Sequence, residues 1–291
     1  MKKFSGVGVA LVTPFDAAGR VDEASLRDVV DHVIDGGVDY LVALGTTSEA
    51  ATLSGDERER VVEIIVEQNA GRLPVVIGVG GNDTASLVEQ LRVLPYLKHG
   101  DAILTVAPYY NKPTPRGLYL HFKALAGHSP LPLILYNVPG RCSVNIPAAT
   151  ITRLAGEFDN IIAVKEATGN FEQATAIVAD KPPGFLLLSG DDAVALPFIS
   201  IGAEGLISVL ANVLPGESAS MIHRALEGDL DGAREIHLRS RHLYRVLFEE
   251  GNPAGVKAAL HARGIIKHNR LRLPLCPVSD ALYREISDLM P

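Results

Sequence analysis

Lys165 closes the apolar run Ile161-Ile162-Ala163-Val164, which puts it in a buried strand or at that strand's exit. Burial disfavours the charged form of a lysine, so its pKa falls and more of the amine is neutral. A neutral amine is the nucleophile that condenses with a ketone to form a Schiff base. The same position is compatible with a plainer outcome, in which the ammonium reaches solvent or pairs with Glu166. Schiff-base chemistry moves several protons and therefore needs shuttles close by. Hydroxyls stand at the ends of other apolar runs: Thr46 and Thr47 after Tyr40–Ala43, Tyr110 after Ala102–Ala107, and Tyr136 closing Leu133–Tyr136. A tyrosine at a strand end is ordinarily a core residue with a satisfied hydroxyl, and a Thr-Thr pair is ordinarily a turn and helix cap. Their convergence on one end of the fold is what gives them chemical meaning. Arg141 follows Tyr136 by five residues. A guanidinium grips a carboxylate through two parallel hydrogen bonds, although in a glycine-containing loop its commoner fate is a surface salt bridge.

Bringing these groups together calls for a repeating scaffold. Short apolar runs alternate with stretches of helical spacing up to about residue 226: Gly6–Leu11, Tyr40–Ala43, Val75–Gly78, Ala102–Ala107, Leu133–Tyr136, Ile161–Lys165, Phe185–Ser189 and Gly205–Val209. They are continuously apolar rather than alternating, as strands buried on both faces of a parallel sheet are. Helix starts are readable between them. Ser54 and Glu57 form a capping box ahead of Val61, Val62, Ile64 and Ile65. Asp22 and Glu23 open a helix that Gly36-Gly37 closes, and Pro147 opens another in its first turn. Eight strand–helix units predict an α/β fold, a (β/α)8 TIM barrel, in preference to an open doubly wound sheet. Residues at the C-terminal ends of such strands line the active site. The segment 227–291 has helical spacing and no strand-like run (Ala233–Phe248, Ala254–Arg263, Ser279–Leu289). It predicts a C-terminal helical appendage on a catalytic barrel formed by residues 1–226.

Composition narrows the class. The 291 residues carry 27 basic and 34 acidic side chains, a net charge of −7 without a basic cluster. That balance argues against a nucleic-acid partner. The longest apolar runs fall far short of the roughly 18 residues a membrane span needs. The opening MKKFSGVG lacks the pattern of a signal peptide, and two cysteines make no disulfide framework, so the expected location is the cytoplasm. None of the nine histidines pairs with another at strand ends at ligand spacing, so no metal or other cofactor is expected. Gly80-Gly81 after the third run could cradle an anion but reads better as a tight strand-to-helix turn.

Five runs, GTTSEAATL (Gly45–Leu53), PYYNKP (Pro108–Pro113), YNVPGR (Tyr136–Arg141), KEATGN (Lys165–Asn170) and LSGDD (Leu188–Asp192), together resemble the dihydrodipicolinate synthase family. This is the group of class I pyruvate-dependent aldolases that includes N-acetylneuraminate lyase. The resemblance spans nearly the whole chain in order and spacing, with NVLPG at Asn212–Gly216 and RLP at Arg272–Pro274. It implies that Lys165 forms a Schiff base with pyruvate. Tyr136 and Thr46 would then shuttle protons, with Tyr110 lent across a subunit interface. Thr47 would hold the pyruvate carboxylate and Arg141 the carboxylate of L-aspartate 4-semialdehyde, while Gly190 and Ile207 would lie beside the bound ketoacid. The product implied is 4-hydroxytetrahydrodipicolinate, on the route to diaminopimelate and lysine, made by a homotetramer built as a dimer of dimers.

Two departures stand out. The family has GTTGE where this chain has Gly45-Thr46-Thr47-Ser48-Glu49, and a serine fits that turn only where φ stays negative. Lysine-inhibited members bind lysine at the dimer interface near the equivalents of Asn82 and Tyr109. Here Ser86 replaces the expected glutamate, and Gly55 and Arg58 replace the histidines, which implies insensitivity to lysine. A sialic-acid lyase or sugar-acid aldolase would share Lys165 and Tyr136 without needing Arg141. A catalytically silent barrel acting as a binding module would be free to lose Lys165, Tyr136, Tyr110 and Thr46, all of which are present.

Overall fold

All eight apolar runs are strands in the structure, a computed structural model that describes residues 3–290. They are β1 (Gly6–Ala10), β2 (Tyr40–Ala43), β3 (Val75–Gly78), β4 (Ala102–Val106), β5 (Leu133–Asn137), β6 (Ile161–Glu166), β7 (Leu186–Ser189) and β8 (Gly205–Ser208). No strand differs from its expected run by more than one residue at an end. Each pairs in parallel with the next, and β8 pairs with β1, so the sheet closes into a barrel. Every strand residue is buried except Gly78, Val106 and Ile162, as a sheet covered on both faces requires.

Helices α1 (Glu23–Asp35), α2 (Gly55–Asn69), α3 (Thr84–Val93) and α4 (Pro115–Ala126) connect the first five strands. A short α5 (Pro139–Cys142) and then α6 (Ala148–Glu157) lie between β5 and β6, and α7 (Phe171–Asp180) and α8 (Ala195–Ser200) follow β6 and β7. After β8 come α9 (Pro215–Leu226), α10 (Leu230–Glu249), α11 (Ala254–Ala262) and α12 (Asp280–Asp288). The capping box at α2 is complete: Glu57 N–H donates to Ser54 Oγ at 3.2 Å and Ser54 N–H to Glu57 Oε2 at 2.9 Å. A serine cap of this kind contributes about 1 kcal/mol. Asp22 caps α1 through Ser25 N–H, and Gly37 turns the chain out at φ +83. Pro147 is extended and caps α6, so that helix starts at Ala148, one residue later than its sequence suggests. Helices α5 and α8 span four and six residues, too short to show a periodicity. From residue 227 to 290 there is no strand, and no helix of the described residues is long and apolar enough to cross a membrane. Cys142 and Cys276 are both free.

Parallel register aligns one row of residues across the C-terminal end of the barrel. Val106 pairs with Tyr136, Tyr136 with Lys165, and Lys165 with Leu188. Registered neighbours share a face, while residues one step along a strand point the other way.

Candidate active site

That alternation separates Lys165 from Glu166. Glu166 turns outward, where its carboxylate accepts from Asn137 Nδ2 (2.9 Å), Gln173 Nε2 (2.8 Å) and Thr168 N–H (2.8 Å). Asn137 Oδ1 in turn accepts from Ile146 N–H at 2.9 Å, so β5 and β6 are braced from behind. Lys165 turns inward, is 5% exposed, and has its Nζ 4.3 Å from the centroid of the Tyr136 ring. It neither reaches bulk solvent nor pairs with Glu166. Desolvation lowers its pKa to about 8. Asp192 opposes that shift and Arg141 adds to it. Asp192 is itself buried and held by Ser208 Oγ and by the N–H groups of Val209 (3.0 Å) and Leu210 (3.2 Å). Burial pushes the Tyr136 phenol up to about 12, so at neutral pH it is a neutral hydroxyl able to donate and accept. Gly190 leaves room for the lysine: a Cβ there would lie 3.1 Å from both Cγ and Cε of Lys165.

Tyr136 also lines a cavity of about 470 Å³ whose wall includes Thr46, Val106, Tyr109, Arg141 and Asn252. The loop after β2 forms one side of it. Leu44 and Glu49 take positive φ there, +54 and +56, whereas Ser48 does not. Ser48 lies in a short 3-10 turn, and its Oγ donates to Gly45 O at 2.7 Å, so serine fits where the family has glycine. The constraint of the sharp turn falls on Gly78 of β3, where a Cβ would approach Leu44 O to 2.2 Å. Glu49 is fully buried and bound by Lys257 Nζ of α11 and by Arg272 N–H (2.9 Å). Lys257 also donates to Arg270 O at 3.0 Å and lies over the Phe15 ring. Burial lowers its pKa to about 8, against the opposing pull of Glu49.

Not all the residues singled out in the sequence meet here. Thr46, Tyr136 and Arg141 share the cavity wall. Thr47 is buried behind it, where its Oγ1 accepts from Asn252 Nδ2 at 3.0 Å. Arg141 has no carboxylate partner among the described residues, and its Nη2 donates to Asn252 O at 3.3 Å. Gly190 touches Lys165 rather than the wall, and Ile207 is buried in β8 at register with Gly8. Tyr110 is 89% exposed, at φ +73, and stands outside the site of its own chain. The sequence reading missed Asn252, Glu49 and Lys257. Asn252, between α10 and α11, and Lys257, on α11, are 205 and 208 residues from their partners, and no local pattern announces them. Among the described residues no cluster of three or more His, Cys, Asp or Glu is placed to hold a metal.

A parallel barrel with a desolvated lysine on its sixth strand, its nitrogen over a tyrosine ring, defines an enzyme of the class I aldolase type, one that makes carbon–carbon bonds. More closely, the chain belongs to the Dihydrodipicolinate synthetase family, which matches residues 3–290. It is 50% identical over 281 residues to the 4-hydroxy-tetrahydrodipicolinate synthase of Azobacteroides pseudotrichonymphae genomovar. CFP2, covering 97% of this chain and 94% of that one. Among solved structures it is similar to the dihydrodipicolinate synthase of Aquifex aeolicus, with a TM-score of 0.93, 42% identity, and 98% and 97% of the two chains covered. The chloride-inhibited dihydrodipicolinate synthase of Acinetobacter baumannii, solved with pyruvate, matches with a TM-score of 0.93 and 39% identity, covering 98% and 97%.

Proposed function

We propose that this chain condenses pyruvate with L-aspartate 4-semialdehyde through a Schiff base on Lys165, giving 4-hydroxytetrahydrodipicolinate for diaminopimelate and lysine synthesis. One observation carries most of this: an inward lysine, desolvated to a pKa of about 8, with its Nζ against the ring of Tyr136, which itself lines a cavity. At pH 7 about a tenth of such amines are neutral, roughly 300-fold more than at the ordinary lysine value of 10.5. Neutral Nζ attacks the ketone carbon of pyruvate, and the carbinolamine loses water to become an imine. Loss of a methyl proton gives the enamine, whose carbon attacks the aldehyde of the second substrate. The amine of that substrate then displaces Lys165 from the imine carbon and closes the ring. Overall one water leaves and the lysine is regenerated.

Tyr136 and Thr46 relay the protons, a role supported by their sharing one cavity wall, and Tyr110 of a neighbouring copy completes the relay. The proposed assembly is a dimer of dimers; the exposure of Tyr110 supports only that this side chain is free to reach another barrel. Thr47 and the backbone around it hold the pyruvate carboxylate, with Gly190 and Ile207 flanking the ketoacid. Arg141, free of any carboxylate partner among the described residues, holds the carboxylate of the semialdehyde. The barrel over 1–226 is the catalytic unit, and the helical subdomain over 227–291 supplies Asn252 to its wall. The proposed setting is the cytoplasm.

The test is condensation by the purified chain, with Arg141→Ala beside it. A charge-assisted pair in a partly desolvated site is worth about 1.5–3 kcal/mol, so the variant should lose about 10- to 150-fold in use of the semialdehyde. It should still form the pyruvate imine, and the wild type should not cleave N-acetylneuraminate. Full activity in the variant, or efficient cleavage of the sialic acid, replaces this function with that of a sugar-acid aldolase.

A further inference from the structure

We infer that Glu49 is a positioning residue for pyruvate binding, the point through which the C-terminal helices hold Thr46 and Thr47 in place, an inference that rests on the function proposed above. The loop over residues 45–53 is two single turns of 3-10 helix, Thr46–Ser48 and Ala50–Thr52, joined at Glu49. Glu49 takes φ +56 and ψ +33 there, a left-handed conformation that residues with a Cβ seldom adopt. Its N–H donates to Thr46 O at 3.1 Å. Its backbone oxygen accepts from Thr52 N–H at 2.9 Å and from Thr52 Oγ1 at 3.0 Å. Both turns are therefore closed through this one residue.

A backbone in that conformation persists where its surroundings over-determine it, and here the side chain supplies the hold. Lys257 Nζ binds Glu49 Oε1, and Arg272 N–H donates to Oε2 at 2.9 Å, so both carboxylate oxygens are taken by the C-terminal part of the chain. Neither partner is free to follow the loop. Lys257 also donates to Arg270 O at 3.0 Å. The Arg272 guanidinium donates to Gly19 O (2.9 Å), Thr52 O (2.9 Å) and Glu57 Oε2 (2.7 Å). Both cations lie against the Phe15 ring, with Lys257 Nζ 4.1 Å and Arg272 Cζ 4.4 Å from its centroid. Asn252 Nδ2 makes a second tie, to Thr47 Oγ1 at 3.0 Å. Charge-assisted hydrogen bonds of this kind fix geometry as well as energy. The places of Thr46, on the cavity wall, and of Thr47, buried behind it, thus depend on a contact that spans 208 residues of chain. Lys165 is held separately by β6, so loosening Glu49 should weaken the hold on the pyruvate carboxylate and spare the nucleophile.

The experiment follows reductive trapping at Lys165 in the full chain. Nζ and a ketone lose one water to give the imine, which hydride from cyanoborohydride reduces to a secondary amine. Two ketones are compared over a range of concentrations by weighing the Lys165 peptide: pyruvate, and acetone, which carries a methyl group in place of the carboxylate. Glu49→Gln should raise the pyruvate concentration for half-maximal trapping about 10- to 100-fold and leave acetone trapping within about twofold of wild type. The double variant Glu49→Gln with Lys257→Met leaves neither buried charge unpaired and should show the same selective loss, because both substitutions remove one contact. It carries the test if the single variant does not fold. An unchanged pyruvate half-saturation in either folded variant overturns the inference, as does an equal loss on both ketones, which marks a purely structural role. Thr47→Val separates the inference from its premise. If Thr47→Val loses pyruvate selectively and the Glu49 variants do not, only the positioning role falls. A wild type that traps no pyruvate at Lys165, or a Thr47→Val that traps it normally, defeats the proposed function of the loop as well.

Discussion

Lys165 and Glu166 are consecutive in β6, yet their charged groups lie on opposite sides of the barrel wall. The ammonium nitrogen sits over the Tyr136 ring, and the carboxylate is bound by Asn137, Gln173 and the Thr168 N–H. The pleat thus denies the lysine its nearest counter-charge. Desolvation then dominates, and the pull of Asp192 and Asp191 offsets it only in part.

The pH dependence follows in sign. Protonated Lys165 cannot attack, and its pKa is lowered to about 8. Single-turnover imine formation with pyruvate should therefore rise about tenfold per pH unit below 8 and level off above it. A rate still climbing at pH 10 would mean the lysine titrates near its ordinary value.

Gly190→Ala places a methyl group 3.1 Å from Lys165 Cγ and Cε and 2.7 Å from Ala167 Cβ. Overpacking of this kind costs about 1–3 kcal/mol, and here it displaces the nucleophile. Imine trapping should fall about 10- to 100-fold while the chain remains folded by circular dichroism. Unimpaired trapping would show that the lysine has room to move.

Lys257→Met should destabilise the protein by about 3–5 kcal/mol in denaturant unfolding, because it leaves Glu49 charged and buried without its partner. Adding Glu49→Gln should restore a substantial part. Equal stability of single and double variants would show that the pair is not coupled.

The barrel was legible because each of its strands is covered on both faces and so reads as one apolar run. Lys165 and Tyr136 were legible because a polar residue ending such a run stands out. The capping box of Ser54 and Glu57 was legible because it is local. Asn252 and the Glu49–Lys257 pair were not, since they depend on the C-terminal helices folding back over 205 to 208 residues of chain. Nor did the sequence say how Ser48 is accommodated. The positive φ falls on Leu44 and Glu49, and Gly78 on the adjacent strand makes that turn sterically possible.

Lysine should not inhibit. Arg58 lies on the cavity wall with its Nε donating to Ala50 O at 3.1 Å, and Ser86 pairs with Gln90. The one carboxylate on that wall among the described residues, Glu49, is taken by Lys257. With Ser86 where the family has a glutamate and Arg58 where it has a histidine, an incoming ammonium loses a charged partner, a deficit of about 2–5 kcal/mol in a buried setting. Activity in the presence of millimolar lysine should match that without it, and strong inhibition would mean other residues rebuild a lysine site.

Covalent capture of pyruvate tests the central claim most directly. The purified chain is incubated with pyruvate, reduced with borohydride, digested, and its peptides are weighed. The predicted result is one lactyl-sized addition on the peptide containing Lys165, dependent on pyruvate and absent from Lys165→Ala. Modification of Lys257 or another lysine instead, or none at all, would contradict the assignment of Lys165 as the nucleophile.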